Sequence, residues 1–260
     1  MEKFQEFDCL SATKYVEVRQ TFTKALLEDL AGRFKLSSAA DVGCGVGYFS
    51  KFLHDLGLRV TGIDGREENV EESRRRYPEI PFLMANAEDL RPEQLGTFDL
   101  VLCFGLLYHL ENPFRVMRNL HSITQQVLLV ESMCAPGTSP AMELLDECKV
   151  VNQGLNYVAF YPTESCLVKM LYRAGFPFVY GFSNLPAHDM FHATLRYSRR
   201  RTILLASRSS VSTSHTRLLP ELFRPWDIWI THYQRIINRA GQLVDVARRR
   251  FIPSPSERSK

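Results

Sequence analysis

Apolar and polar residues recur along this chain with two different periods. Between Tyr15 and Phe34 the apolar positions Tyr15, Val18, Phe22, Leu26 and Leu30 return every three to four residues, with Glu17, Lys24 and Glu28 off that stripe. That spacing predicts an amphipathic helix. From Ala39 onward short apolar runs take over. Ala39–Cys44, Arg59–Ile63, Pro81–Ala85, Phe98–Phe104 and Gln126–Val130 read as five strands, with helices over Tyr48–Leu56, Glu67–Tyr77 and Pro113–Ile123 between them. Phe98–Phe104 is apolar on both faces, as a strand in the middle of a parallel sheet must be. Pro78 stops the second of these helices. Asn112 is read as the cap of the third, which has proline in its first turn.

Strands alternating with helices predict an α/β fold, a mostly parallel sheet covered on both faces. Right-handed crossovers then gather the loops after the strands along one edge, where ligands bind. Past Val130 the pattern changes. Met133 to Tyr161 reads as loop and helix without a clear strand, a place for a substrate-covering insertion. Thr163–Ala174 is a helix with Thr163 as its cap and Gly175 as its stop. Phe176–Phe182 and Thr202–Ala206 read as a late antiparallel hairpin at the sheet edge, and the polar run Ser207–Ser214 as a linker. The expected organisation is a helical cap over 1–36, an α/β domain over 37–207 and an extension over 208–260.

The chemistry concentrates after the strands. Asp41-Val42-Gly43-Cys44-Gly45-Val46-Gly47 ends the first strand and opens the first helix. Glycines at alternate positions permit a tight turn and close backbone approach to a ligand, and the helix start offers free N–H groups. Asp64 closes the second strand 17 residues after Gly47, where an acid accepts from ribose hydroxyls. Dinucleotide sites use GxGxxG. Here the run is GxGxG, and an acid stands two residues before the first glycine. A carboxylate at Asp41 would sit badly beside a pyrophosphate and suits the cationic amino group of a methionine moiety. A nicotinamide-dependent reductase is disfavoured on the same ground.

With these residues in view, the chain resembles the class I S-adenosylmethionine-dependent methyltransferases. DVGCGVGYF resembles their first motif, Thr61-Gly62-Ile63-Asp64 their ribose-binding strand end, Asn86-Ala87-Glu88-Asp89-Leu90 their adenine loop, and Phe98-Asp99-Leu100-Val101 their fourth strand. The resemblance implies a Rossmann-like, doubly wound sheet of seven strands with an antiparallel edge hairpin, and S-adenosyl-L-methionine as cofactor. It implies that Gly43, Gly45 and Gly47 shape the methionine pocket with Asp41 near its amino group. Asp64 would hold the ribose, Arg66 would lie over one adenine face, Asn86 and Ala87 would meet the adenine edge, and Phe104 would lie beside the methionine part. Many members carry Asp where Asn86 stands. Asp99 is read as structural and Asp89 as a cap or surface acid.

Phe104-Gly105-Leu106-Leu107-Tyr108-His109-Leu110 follows the fourth strand and faces the expected sulfonium. Methyl transfer from a sulfonium is an in-line displacement that gains much from positioning. A base is needed only when the acceptor must lose a proton. His109 is the candidate base, with substrate contact and loop support as its other readings. Tyr108 is a candidate for orienting the acceptor. GLLYHLENP also resembles the corresponding stretch of wobble-uridine tRNA-modifying enzymes, but the basic N-terminal RNA-gripping region expected of them is missing. His188 and His192, four apart, are a weak metal pair without a third ligand, and no metal is expected.

Charge and composition narrow the function further. Residues 208–260 carry ten Lys or Arg against four Asp or Glu, leaving 22 bases and 25 acids in residues 1–207. The α/β part is mildly acidic, which points away from a nucleic-acid enzyme. The six cysteines show no CxxC pairing, so reduced thiols in a cytoplasmic protein are expected. No apolar run reaches the length of a membrane span, and the N-terminus does not read as a signal peptide. After Pro225, Trp226, Trp229, Tyr233, Ile237, Ala240, Val244, Ala247 and Phe251 form an amphipathic stripe that must be buried against something. Its candidate partners are the chain's own domain, a second copy, or a membrane surface. The polar tail after Pro253 is expected to be disordered. The expected function is methylation of a small-molecule or biosynthetic-intermediate acceptor at O or N, with tRNA methylation as the second reading. A non-catalytic binding protein of the same fold is the third.

Overall fold

The computed structural model describes residues 4–150, 152–192, 200–211 and 213–221. The stripe Trp226–Phe251 and the tail after it lie outside the described residues. Residues 1–221 form one compact unit. In chain order its main strands are β1 (Ser38–Val42), β2 (Arg59–Asp64), β3 (Phe82–Met84), β4 (Phe98–Phe104) and β5 (Thr124–Cys134). They pair in parallel in the order β3-β2-β1-β4-β5. This is the doubly wound arrangement predicted from the alternating pattern. Because β1 sits beside β4 while their helices leave in opposite directions, a cleft opens where their C-terminal ends diverge.

Helices cover both faces. The first face holds α6 (Pro113–Ile123) and α7 (Glu164–Ala174), which bury Val116, Met117, Leu120, Leu167 and Leu171 against Val101, Cys103 and Leu128. The second holds α2 (Leu10–Ala31), after the short turn α1 (Gln5–Asp8), together with α3 (Tyr48–Asp55) and α4 (Glu67–Arg76). Leu26, Leu30, Phe49, Leu53 and Val70 pack there on Leu100, Leu102 and Leu129. The N-terminal helix is therefore a working layer of the fold, and it places Tyr15 and Arg19 over the cleft. A single turn, α5 (Pro92–Leu95), leads into β4.

Three readings of the sequence are corrected here. First, Met133–Tyr161 is not free of strands. β5 continues to Cys134, and β6 (Met142–Asp146) pairs antiparallel with β7 (Val158–Pro162) as a separate two-stranded hairpin. Both strands are short, and β6 carries acids at Glu143 and Asp146 with no buried residue, so the pair does not read as core strands. Second, the sheet has eight strands among the described residues. β8 (Phe178–Phe182) and β9 (Arg200–Ser207) form the expected hairpin, with β9 against β5, and β10 (Thr216–Leu218) adds an outer strand on β8. Third, Ser207–Ser214 is not a simple linker. Ser207 ends β9, and Val211 is buried with its N–H donated to the Tyr180 hydroxyl at 2.8 Å. The helix caps divide. Thr163 accepts the Cys166 N–H at 3.2 Å and Gly175 stops α7 in a left-handed conformation. Asn112 makes no side-chain cap and instead donates to Glu88.

Asp99 fastens the far end of the sheet. Its Oδ2 accepts from the N–H and hydroxyl of both Ser37 and Ser38 at 2.7–3.1 Å, and its Oδ1 from Gln126 at 2.9 Å. Burial pushes this carboxyl up, but the donors outweigh it and hold it below the usual carboxylate range. With the native pKa depressed, the unfolded chain takes up the proton first as the pH falls. The stabilisation is complete above about pH 4 and is lost as the pH drops below it. Asp99→Asn is expected to be less stable near neutrality and to lose this acid dependence. The gap between the urea midpoints of the two proteins should begin to narrow as the pH falls below about 4 and keep narrowing with further acid; a constant gap would contradict the role.

Candidate active site

The cleft between β1 and β4 opens into a cavity floored by the glycine loop. Gly43 and Gly45 have φ of 80° and 55°, a region that an L side chain enters only at a cost. A Cβ on Gly43 would stand 2.7 Å from Leu106 Cβ, so loop and opposing wall meet only because that side chain is missing. Asp64 reaches across from β2. Its Oδ2 accepts the Gly45 N–H at 2.9 Å, and its Oδ1 accepts the Arg66 N–H at 2.9 Å and the Asn69 amide at 3.2 Å. Burial raises the Asp64 pKa, and these donors only partly offset it.

Gly43, Gly45, Asp64, Arg66, Asn86, Ala87, Phe104, Tyr108 and His109 all line this one cavity. Two expected residues do not. Asp41 is buried behind the loop, where it accepts from the Ser50 hydroxyl at 2.7 Å, and burial pushes its pKa up to about 6. Gly47 sits at the start of α3 with φ of 88°, against Phe82 and Tyr77. Both shape the loop from outside. Asn86 lines the cavity while its side-chain carbonyl accepts the Glu88 N–H at 3.0 Å, which leaves one lone pair for another donor. Arg66 is turned toward the covering loop, donating to the carbonyls of Gln153 and Gly154 at 3.2 and 2.9 Å.

Residues that sequence reasoning passed over complete the walls. Asn152–Asn156, from the loop between β6 and β7, roofs one end, and Phe7, Tyr15 and Arg19 roof the other. Glu147 enters from the same hairpin. One of its oxygens meets His109 Nδ1 and the other accepts the Gly154 N–H at 2.9 Å. Behind Tyr108 lies a buried charge cluster. Glu131, wholly enclosed, accepts from Arg201 Nη1 at 2.9 Å, from Tyr15 at 2.9 Å and from Arg19 at 3.4 Å. Arg201 also donates to the Tyr108 hydroxyl at 2.7 Å. Burial alone would raise Glu131, but the two guanidinium charges outweigh it and hold the carboxyl ionised. Two signals existed in the sequence. Glu131 is a lone acid in the apolar run Val127–Cys134, and Arg19 stands four residues after Tyr15 on the apolar face of its helix.

His188 and His192 do not share a helix face. His188 caps a short turn at Asp189–Phe191 and packs at a tilt against Tyr15 with centroids 5.1 Å apart. Among the described residues no group of three His, Cys, Asp or Glu is arranged to hold a metal ion.

Residues 40–126 match the family model of a methyltransferase domain. The ubiquinone biosynthesis O-methyltransferase of Xanthomonas oryzae pv. oryzae (strain PXO99A) is 37% identical over 105 residues, 39% of this chain and 42% of that protein. The match thus spans less than half of the relative's length. Among solved structures, the N-terminal domain of EvdMO1 with S-adenosylhomocysteine bound is similar at a TM-score of 0.59 and 18% identity, covering 74% of this chain and 81% of that one. CalS10, an amino pentose methyltransferase from Micromonospora echinaspora, is similar at 0.56 and 16%, covering 78% and 98%. Residues 40–126 are thus similar to a methyltransferase domain, and the chain shares the Rossmann-like α/β fold of these solved structures.

Removing the single carboxylate from the buried cluster leaves Arg19 and Arg201 facing each other without compensation. Glu131→Gln is expected to destabilise the protein by about 3 kcal/mol or more, read as a lowered urea midpoint. A change below about 1 kcal/mol, the scale of a surface ion pair, would contradict the coupling.

Proposed function

We propose that the chain transfers a methyl group from S-adenosyl-L-methionine to an oxygen of a small-molecule acceptor. The observation that carries this reading is Asp64: a carboxylate fixed by two backbone N–H groups at the lip of a glycine-floored cavity, with lone pairs left for ribose hydroxyls. Buried polar atoms without partners around it, Asn69 Oδ1 and Arg66 Nε, are what a polar ligand would satisfy. The residues present therefore fit the cofactor. When bound, it supplies an electrophilic methyl carbon.

The chain's own residues would do the rest. The glycine loop and Phe104 would hold the methionine part, Asp64 the ribose, and Asn86 and Ala87 the adenine edge. Asn152–Asn156 and the N-terminal helix would exclude water, which favours displacement over hydrolysis. The Glu147 carboxylate facing His109 Nδ1 would favour the neutral tautomer with its proton on Nδ1, which leaves the lone pair on Nε2. That tautomer suits removal of a proton from a hydroxyl acceptor, and it favours oxygen over an amine that already has a free lone pair. Tyr108 would orient the acceptor rather than ionise, since burial raises its pKa. The same O-transfer is named in the ubiquinone biosynthesis relative. Small-molecule acceptors fit the structural neighbours. No helix among the described residues is long and apolar enough to cross a membrane. The cytoplasm is the proposed location, and 225–251 is the proposed segment for meeting a second copy or a membrane surface.

Two measurements test this. Calorimetric titration should show S-adenosylmethionine binding that Asp64→Ala weakens by about tenfold or more, the scale of lost hydrogen bonds to a charged group; unchanged affinity would remove the cofactor assignment. Incubation with methyl-labelled donor and small-molecule extract, followed by mass spectrometry, identifies the acceptor. On that acceptor His109→Ala should lower turnover by about 100-fold and Glu147→Gln by less, both with donor affinity retained. Full turnover in His109→Ala would exclude the base.

A further inference from the structure

The cluster behind Tyr108 is out of balance. Glu131 is one carboxylate between two guanidinium groups, and Tyr15 and Tyr108 stay neutral because burial raises both. Residues 193–200, which lead into Arg201, contain no Asp or Glu. Arg19 is also shared with the buried carboxylate of Asp41 behind the glycine loop, so the surplus is local to Arg201, which presents cationic N–H groups at the cavity wall, taken out of water at considerable cost. Arg201 also has donors to spare. Nη1 serves Glu131 and Nη2 serves Tyr108, while Nε is buried without a partner. Tyr108 accepts from Arg201, which leaves its own hydroxyl proton free to be donated. Both residues line the cavity, and Arg201 Nη1 lies beside Gly105, 3.9 Å from where a Cβ would stand. They sit on β9 and on the loop after β4, apart from the β2 end where Asp64 stands.

Resting on the methyl-transfer reading above, we infer that the acceptor carries a carboxylate, and that Arg201 with Tyr108 receives it. A buried, unspent guanidinium N–H beside a free hydroxyl donor matches the two oxygens of a carboxylate. Such a contact fixes the acceptor at one end and presents its hydroxyl to His109. It also discriminates against neutral analogues, since an acceptor without the anion would leave the cationic wall unsatisfied.

The test uses the full chain saturated with S-adenosylhomocysteine. Two probes differing in one group, 4-hydroxybenzoate and 4-hydroxybenzyl alcohol, are titrated calorimetrically. The carboxylate probe should bind about tenfold or more tightly, as a charge-assisted hydrogen bond predicts. Arg201→Gln leaves Arg19 and Glu131 as a balanced pair, so it should fold. It should erase the preference while S-adenosylhomocysteine affinity changes by less than about threefold, under 1 kcal/mol. Arg201→Lys, which keeps the charge, should retain an intermediate preference and serves if the glutamine variant fails to fold. A wild-type protein without the preference, whether it binds both probes equally or neither, overturns the inference. So does a preference that survives in Arg201→Gln, or a tenfold loss of S-adenosylhomocysteine affinity with the preference intact, which would assign the arginine to the methionine carboxylate. Failure of S-adenosylhomocysteine to bind at all removes the cofactor reading and this inference with it; binding without a carboxylate preference removes this inference alone.

Discussion

The carboxylate of Asp64 ties together three segments that are far apart in sequence. It takes an N–H from the glycine loop after β1, an N–H from the turn after β2 and a side-chain amide from α4. Each of these donors would otherwise be an orphan at the start of a helix or turn. The acid thus satisfies the backbone that shapes the cavity while remaining at its lip. A carboxylate buried this way carries a desolvation cost, seen in its raised pKa. A ligand offering hydroxyl donors would offset that cost. Structural support and ligand binding are here two uses of one group.

A second electrostatic node works at the opposite side. Glu131 joins β5 to the N-terminal helix through Tyr15 and Arg19 and to β9 through Arg201. Tyr108 hangs from the same guanidinium and packs edge-on against Tyr161 of β7, with centroids 5.4 Å apart. His109, the next residue, is held by Glu147 from the β6–β7 hairpin. The insertion, the cap helix and the sheet core therefore converge on two consecutive residues. This explains how a segment with little core of its own gains a defined position: its polar contacts are buried, where they are stronger than in water.

The parallel core was legible because its signal is local. Continuous apolar strands, helix stops at Pro78 and Gly175, and a glycine run at a strand end all follow from short-range physics. The same holds for the cavity-lining residues that sit at or just after strand ends, such as Gly43, Asp64 and Ala87. What stayed hidden depends on distant pairing. In the hairpin Met142–Asp146 with Val158–Pro162 the first strand buries no residue and mixes acids with apolar side chains, so it shows no alternation of polar and apolar residues. Glu131 and Arg201 become a pair only once β5 and β9 are known to be neighbours. Asp41 was misread for a different cause: a carboxylate near a loop on paper is not a carboxylate facing a cavity, and Ser50 claims it from behind.

The account stands on the adenosyl group entering the cleft between β1 and β4 with its ribose on Asp64. A crystal structure of the protein grown with S-adenosylhomocysteine tests this directly. It should show the ribose hydroxyls within hydrogen-bonding distance of the Asp64 carboxylate and the glycine loop unchanged. A nucleoside bound elsewhere, or a cleft without the ligand, would contradict it.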